Sequence, residues 1–312
     1  MRNLLFVGDM HLREQPPSFR NQNSIEWLAT MAKKIQTIGK IARRKNADII
    51  QVGDLFDSSK NSNFFMAWVI KQLRDNIKGM SVVPGNHDLP GNTMKNFSRS
   101  PLSILLEAGI IDVTPEGVSH YQTEINQITT VPFGELENLA TTSMPSTTKR
   151  KFLCAHHPVY TKVPFYHEKV AWDVKKVREK LSAYDYVIFG DIHAPFMDNK
   201  AKPVVLNCGS IFRLTKAQIR YHPSVWLWEY HSDSIEEIIL PITALDVQEE
   251  DEKIKQENDQ ALMEFVQYFN EEHRGDSVPE PQMVLEEYLA KNHNNDISLK
   301  NAIQEIQLME EV

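Results

Sequence analysis

The strongest constraint in this sequence is one pattern that occurs five times. An apolar run of strand type ends, usually at a glycine, and Asp, Asn or His side chains follow at once, in the segments FVGDMH, QVGDLFD, VVPGNHD, LCAHHP and IFGDIH. A glycine at such a position lets the backbone turn sharply and approach its neighbours closely. The carboxyl ends of strands in an alternating α/β sheet meet at one edge, where ligands bind. We therefore expect these polar side chains to gather at one edge of a sheet.

The first 210 residues alternate between short apolar runs and amphipathic stretches. Helical spacing of apolar residues predicts helices over 24–45, with Ser24 as N-cap, over 63–78 and over 171–181. The predicted strands are 4–7, 48–52, 80–83, 151–155, 184–189 and 203–207. Strand–helix alternation favours parallel or mixed sheets that are covered by helices, which is an α/β fold.

The pattern of the sequence changes from Ser224 onward. The segment SVWLWEYHSDSIEEIIL predicts a β-hairpin that turns at 232–234, and no strand is predicted after Pro241. Residues 246–312 carry 18 acidic and 5 basic residues, which leaves 24 acidic and 29 basic residues for 1–245. We therefore predict two regions: residues 1–241 as the α/β domain and residues 242–312 as an acidic helical C-terminal region.

Composition excludes several classes of protein. Two cysteines in 312 residues cannot form a disulfide scaffold, and no apolar run approaches the roughly 18 to 20 residues of a membrane span. The N-terminal apolar run is too short for a signal peptide. These features predict a cytoplasmic protein with no membrane contact.

The donor types at the predicted sheet edge suit metal ions. Carboxylate and imidazole donors together favour first-row divalent ions such as Mn²⁺, Fe²⁺ or Zn²⁺. About seven donors are too many for one ion but fit two ions that share a bridging carboxylate, the arrangement used to hydrolyse phosphate esters. Each motif alone is weak, since a single D-x-H or G-N-H-D also occurs in ordinary turns. Their joint occurrence, each after a predicted strand, predicts a two-metal site.

The series D-x-H, G-D-x-x-D, G-N-H-D, H and G-x-x-H resembles the calcineurin-like metallophosphoesterase superfamily over roughly residues 1–230. That resemblance implies a four-layer α-β-β-α sandwich, here with an acidic helical extension. Within the superfamily, VVPGNHDLP and VLNCGSIFRLT look like the SbcD family, the nuclease subunit of DNA double-strand-break complexes. Serine/threonine phosphatases would instead show Arg-Gly after the second motif and Glu after Asn-His, where this chain has Asp57-Ser58 and Asp88.

The resemblance also implies roles for individual residues. It assigns Asp9, His11 and His193 to one ion, Asn86 and His156 to the other, and Asp54 to a bridge between them. His87 would protonate the leaving oxygen, and Asp88 would orient His87. His157 competes with His156 as ligand, although adjacent side chains on a strand point to opposite faces, so only one of them should reach the site.

One position departs from the family pattern. The last motif is usually Gly-His-x-His, whereas this chain has Gly190-Asp191-Ile192-His193. A carboxylate at position 191 would make the site more negative and favour a harder ion, Mn²⁺ or Mg²⁺. The alternatives are that Asp191 marks a weakened second metal site, or that the chain is a binding protein whose catalytic site has decayed.

These observations predict a two-metal DNA nuclease, with a phosphodiesterase or phosphatase for nucleotides or small esters as the alternative. The basic balance of residues 1–245 suits contact with a DNA backbone, and Arg99, Arg213, Lys216 and the cluster Lys149–Lys151 are candidate contacts. Apolar stripes in the acidic tail predict docking onto a partner, which the resemblance identifies as an SMC-like ATPase resembling SbcC. Burial of the stripes against the chain's own core, or in a homodimer, is the competing interpretation.

Overall fold

The computed structural model describes residues 2–242 except 21, 114–117, 140–148, 165, 166, 168, 216, 217 and 219. The described residues belong to a compact unit, Met1–Val247. The predicted helical tail from residue 243 onward lies outside the described residues. None of the described helices is long and apolar enough to cross a membrane.

Two mixed sheets form the centre of the molecule. The first has the order β13-β12-β1-β2-β3 and the second has the order β10-β11-β9-β6-β5-β4. The strands of the first sheet are β1 Asn3–Val7, β2 Ala47–Gln51, β3 Met80–Val82, β12 Ser224–Glu229 and β13 Ser234–Ile239. The strands of the second are β4 Ser119–Gln122, β5 Asn126–Val131, β6 Arg150–His156, β9 Tyr186–Gly190, β10 Phe196–Asp198 and β11 Val204–Asn207. A two-stranded parallel pair, β7 Val159–Tyr160 and β8 Trp172–Asp173, completes the described strands.

The helices cover the outer faces of these sheets. They are α1 Ser24–Arg44, α2 Asn63–Asn76, α3 Pro101–Glu107 and α4 Val174–Lys180, with 3-10 turns at Pro90–Asn92 and Met94–Arg99. The N-cap of α1 is Asn23 rather than the predicted Ser24. The Asn23 side chain accepts from the Glu26 backbone N–H while the Glu26 carboxylate accepts from the Asn23 N–H, forming a capping box.

Alternation of side chains along the strands produces the four layers. In β1, Leu4 and Phe6 pack between the two sheets, whereas Leu5 and Val7 face the helical layer. Helices α1 to α3 cover the first sheet, and α4 covers the second through Val174 and Val177. The structure is thus the α-β-β-α sandwich that the sequence predicts.

Strand direction places the predicted functional residues. Strands β1, β2 and β3 run parallel to one another, as do β5, β6, β9 and β11. Loops that leave the carboxyl ends of neighbouring parallel strands start at the same edge of a sheet. All five motifs of the sequence pattern lie on such loops or at such strand ends.

Candidate active site

The structure brings all seven predicted metal ligands into one connected group. The shortest links are 2.9 Å between His11 Nε2 and His193 Nε2, and 3.1 Å between His156 Nε2 and Asn86 Oδ1. Asp54 Oδ2 lies 3.3 Å from His156 Nε2 and 3.7 Å from His11 Nε2, so it links the His156–Asn86 pair to the His11–His193 pair. The remaining members lie beside His156: Asp9 Oδ1 at 3.7 Å from Nδ1 and Asp191 Oδ1 at 3.8 Å from Nε2.

The group divides into two clusters that share Asp54. We name His11, His87 and His193 the imidazole cluster, and Asp9, Asn86, His156 and Asp191 the carboxylate cluster. Two sets of donor atoms lie close enough to hold an ion: His11, Asp54 and His87 in one, and Asp9, Asp54 and His156 in the other. This grouping differs from the predicted one, because it places Asp9 with His156 and places His87 with His11.

Hydrogen bonds at the back of the rings fix how the histidines face the site. The Nδ1–H of His156 donates to the Val52 carbonyl at 3.0 Å, and the Nδ1–H of His87 donates to the Asp57 carbonyl at 2.8 Å. His11 Nδ1 lies 3.4 Å from the Asp57 carboxylate. Such partners set the tautomer and leave Nε2 free for a ligand. The Nε2 atom of His87 is buried and has no hydrogen-bond partner.

The prediction that Asp88 orients His87 is wrong. Its carboxylate accepts from the backbone N–H groups of Leu55, Phe56 and Gly85, at 3.2, 2.8 and 3.0 Å. Asp88 therefore ties the loop after β2 to the loop after β3, and the hydrogen-bond partner of His87 is the Asp57 carbonyl instead. The second aspartate of the G-D-x-x-D motif was the sequence signal for that partner.

The two adjacent histidines at the end of β6 point in opposite directions. His156 is fully buried among the predicted ligands, whereas the His157 ring packs edge-on against Trp172 with the ring centroids 5.2 Å apart. Burial lowers the pKa of His157 to about 4, so this ring is neutral. The geometry thus selects His156 as the candidate ligand.

The carboxylates of the site carry more negative charge than a buried environment tolerates. Burial, with a contribution from the nearby Asp54 charge, raises the pKa of Asp9 to about 7 and that of Asp191 to about 6. Asp54 is also buried, but His156 and His11 hold its pKa well below the usual range. Burial also opposes a charge on His11, yet Asp57, Asp54 and Asp9 raise its pKa to about 9. A divalent cation would relieve this crowding of negative charge.

Backbone conformation at the site is unusual as well. His11, Asp54 and Asp191 have positive φ angles of 41°, 51° and 100°. Residues other than glycine rarely adopt this region, and those that do are concentrated at functional sites. Gly53, with a φ of 99°, lies against the His156 ring, where any side chain would overlap the imidazole. The site therefore depends on glycine at this position for the placement of His156.

These residues fit a pair of divalent metal ions. Three carboxylates, an amide oxygen and inward-facing imidazoles form a donor set of the kind used by two-metal hydrolases. The unpartnered Nε2 of His87 and the raised pKa of Asp9 both indicate a missing positive charge. Bound ions would polarise a phosphoryl group and lower the pKa of an attacking water. The chain's own residues would hold those ions, and His87 Nε2 is free to donate a proton to the leaving oxygen.

The residues predicted to contact DNA differ in their exposure and in their position relative to the site. Arg99 is exposed, but Arg213 is buried and its Nε donates to the Tyr221 carbonyl at 2.6 Å, so it is not a surface contact. The cluster Lys149–Lys151 lies at the amino end of β6, the opposite end from His156. Lys216 lies outside the described residues.

Comparison with known proteins agrees with the fold. The family model "Calcineurin-like phosphoesterase" matches residues 2–195, and the chain belongs to this family. It is a metal-dependent phosphoester hydrolase. No curated protein matches the chain.

Two solved structures resemble the chain at low similarity. One is described as a novel archaeal phosphodiesterase, with 14% identity, 76% of this chain and 99% of that chain covered, and a TM-score of 0.41. The other is a putative 5'-nucleotidase from Staphylococcus aureus in complex with alpha-ketoglutarate. It shows 13% identity and a TM-score of 0.43, with 86% of this chain and 59% of that chain covered.

Proposed function

We propose that this phosphoesterase is a two-metal DNA nuclease of the SbcD type, with Mn²⁺ as the preferred ion. The observation that carries the proposal is the placement of four cationic side chains on the loops that leave β1, β2 and β3 on the side of the site. They are Arg13, Lys60, Lys95 and Arg99, of which the last three are exposed, whereas the Arg13 side chain is 35% exposed and pairs with the Asp57 carboxylate at 3.3 Å. Such cations neutralise a phosphate backbone without reading its sequence. A small ester would not need three exposed cations on these loops.

An exposed aromatic ring at the same edge supports a nucleic-acid substrate. Phe64 lies in the first turn of α2, which follows the loop after β2, and it is 60% exposed. Stacking of a base on such a ring stabilises single-stranded nucleic acid by about 1–3 kcal/mol per base. Phe64 thus complements the cations, since it contacts bases while they contact phosphates.

His87 is assigned the proton transfer in this reaction. Its Nδ1–H is held by the Asp57 carbonyl, so the ring presents Nε2 to the site, beside Asp54 and His11. A protonated Nε2 would donate to the departing 3′-oxygen as the P–O bond breaks, as a general acid does. Asp57 supports two rings at once, because its carboxylate also faces His11 Nδ1.

The test compares a long substrate with a short one. Purified protein with Mn²⁺ should degrade linear DNA, and the double variant Lys95→Glu, Arg99→Glu should lose at least tenfold in DNA cleavage while its hydrolysis of a chromogenic phosphodiester stays unchanged. Lys78→Glu is the matched control, because Lys78 is an exposed cation that precedes β3 at the opposite edge. Hydrolysis of the chromogenic ester without any cleavage of DNA would favour the alternative, a small-ester phosphodiesterase.

The acidic tail is proposed to dock onto an SMC-like ATPase resembling SbcC. Its charge, 18 acidic against 5 basic residues over 246–312, and its short apolar stripes suit a helix laid into a partner's groove. A chain truncated after Ile242 should keep ester hydrolysis and lose partner binding and processive DNA cleavage. Unfolding of the truncated chain would place the stripes in its own core, and a change from dimer to monomer would place them in a homodimer.

A further inference from the structure

Residues at and just after the end of β11 hold the turn that carries two of the candidate ligands, Asp191 and His193. The turn 191–194 follows β9, and three successive carbonyls in it are occupied by groups from the end of β11. The Asn207 side-chain amide donates to the carbonyls of Ile192 at 2.6 Å and Ala194 at 2.8 Å. The backbone N–H of Ser210 donates to the carbonyl of His193 at 3.0 Å.

The same segment also grips the end of β1. The backbone N–H of Ile211 donates to the Asp9 carbonyl at 3.1 Å. Gly209, whose φ is 72°, lies so close to Gly8 that a side chain on Gly8 would overlap its carbonyl. Residues 207–211, which we call the clamp, therefore join the turn of His193 to the strand end of Asp9.

The clamp lies in the interior of the protein. Asn207 and Ser210 are fully buried, and so is Ile211. Ile192 is only partly buried and Ala194 is exposed, so without the Asn207 amide water would take the place of both hydrogen bonds and the turn would no longer be fixed in one conformation. The Asp191 backbone N–H bonds both oxygens of the Asp9 carboxylate, at 3.1 and 3.2 Å, so any shift of the turn also moves that carboxylate.

We infer that Asn207 is a positioning residue for metal binding: its amide fixes the 191–194 turn, which holds His193, Asp191 and, through the Asp191 backbone N–H, the Asp9 carboxylate ready for the metal ions. The inference rests on the proposed two-metal site. Loss of a residue that supports a metal ligand typically weakens metal affinity by about 10- to 100-fold. The effect should reach both ions, because the turn carries His193 of the imidazole cluster and Asp191 of the carboxylate cluster.

The experiment is a Mn²⁺ titration of the metal-free full chain by calorimetry, with free Mn²⁺ followed by electron paramagnetic resonance. Wild type should bind two ions. Asn207→Leu, which keeps the approximate shape but removes the two hydrogen bonds, should bind the ions about 10- to 100-fold more weakly. The matched control is Asn126→Leu, since Asn126 is equally buried but opens β5 at the opposite edge of the same sheet. It should bind both ions as wild type does.

Gly209→Ala disturbs the same turn without removing a hydrogen bond. An added Cβ would lie 2.9 Å from the His193 carbonyl oxygen and from Pro195, so this variant should also bind the ions more weakly. This variant decides the matter if Asn207→Leu does not fold. Two wild-type affinities in a folded Asn207→Leu or Gly209→Ala protein would overturn the inference, as would equal weakening of both ions in Asn207→Leu and Asn126→Leu. Absence of Mn²⁺ binding in wild type would instead overturn the proposed metal site.

Discussion

The imidazole cluster and the carboxylate cluster share Asp54 but differ in burial and in hydrogen bonding. His156, in the carboxylate cluster, is fully buried, with its Nδ1 bonded to a carbonyl and its Nε2 close to Asn86 and Asp54. In the imidazole cluster, His87 is only half-buried and its Nε2 has no partner. A ring whose Nε2 faces the oxygen atoms of other candidate ligands suits binding of a shared cation, whereas a ring whose Nε2 has no hydrogen-bond partner suits proton transfer. The difference separates His156, a candidate metal ligand, from His87, the candidate general acid, while His11 and His193 remain candidate ligands within the imidazole cluster.

The largest effect is expected where the clusters meet. Asp54→Asn removes the charge that faces both His156 and His11, so it should abolish metal binding and reduce phosphoester hydrolysis to background. The control is Asp48→Asn, which changes a half-exposed carboxylate in β2, the strand that precedes the Asp54 loop; Asp48 pairs with Arg2. Retention of two bound ions in a folded Asp54→Asn protein would show that Asp54 bridges nothing.

The proton-transfer assignment is tested at His87. His87→Ala should bind metal as wild type does but lose about 10²–10⁴-fold in turnover, the range for general acid catalysis. Loss of an ion together with activity would move His87 into the ligand set, which its proximity to His11 and Asp54 allows.

Metal affinity should rise with pH. Without metal, Asp9 has a pKa of about 7 and His11 a pKa of about 9, so both hold protons at pH 6 that a bound ion must displace. Each released proton contributes up to about a tenfold gain in affinity per pH unit. Mn²⁺ dissociation constants at pH 6, 7 and 8 should fall in that order. A constant affinity over this range would show that neither group is a ligand.

A smaller effect is expected at the position that departs from the family pattern. Asp191→His replaces an oxygen donor with an imidazole beside His156, so the preference between ions should shift from Mn²⁺ toward Zn²⁺. Competition between the two ions measures this shift. If occupancy and activity do not change at all, Asp191 is not a ligand.

The smallest effect is expected outside both clusters. His157→Phe keeps the packing against Trp172 and removes a ring that is neutral, so hydrolysis should remain within about twofold of wild type. The matched change His156→Phe should abolish it. Equal losses in the two variants would contradict the orientation of these neighbours on β6.

Much of the fold could be predicted because local sequence patterns determine it. The strands β1, β2, β3, β6, β9 and β11 and the helix α1 were predicted to within a few residues, since their apolar spacing is strong. Strands β4, β5, β7, β8 and β10 were missed. The segment NQITTV of β5 is polar and yet fully buried, so only its partners β4 and β6 make it a strand.

The sequence by itself determined the donor types, their order and their common edge, because the carboxyl ends of parallel strands meet there whatever the details of packing. Tertiary structure alone decided the contacts across the site. Asp88 binds backbone of two loops, Arg213 is buried, and Asn207 grips a turn from a neighbouring strand. The contacts of Asp88 and Asn207 join residues that are distant in sequence, and the burial of Arg213 depends on which segments pack over it. Residue type and spacing do not reveal such long-range packing.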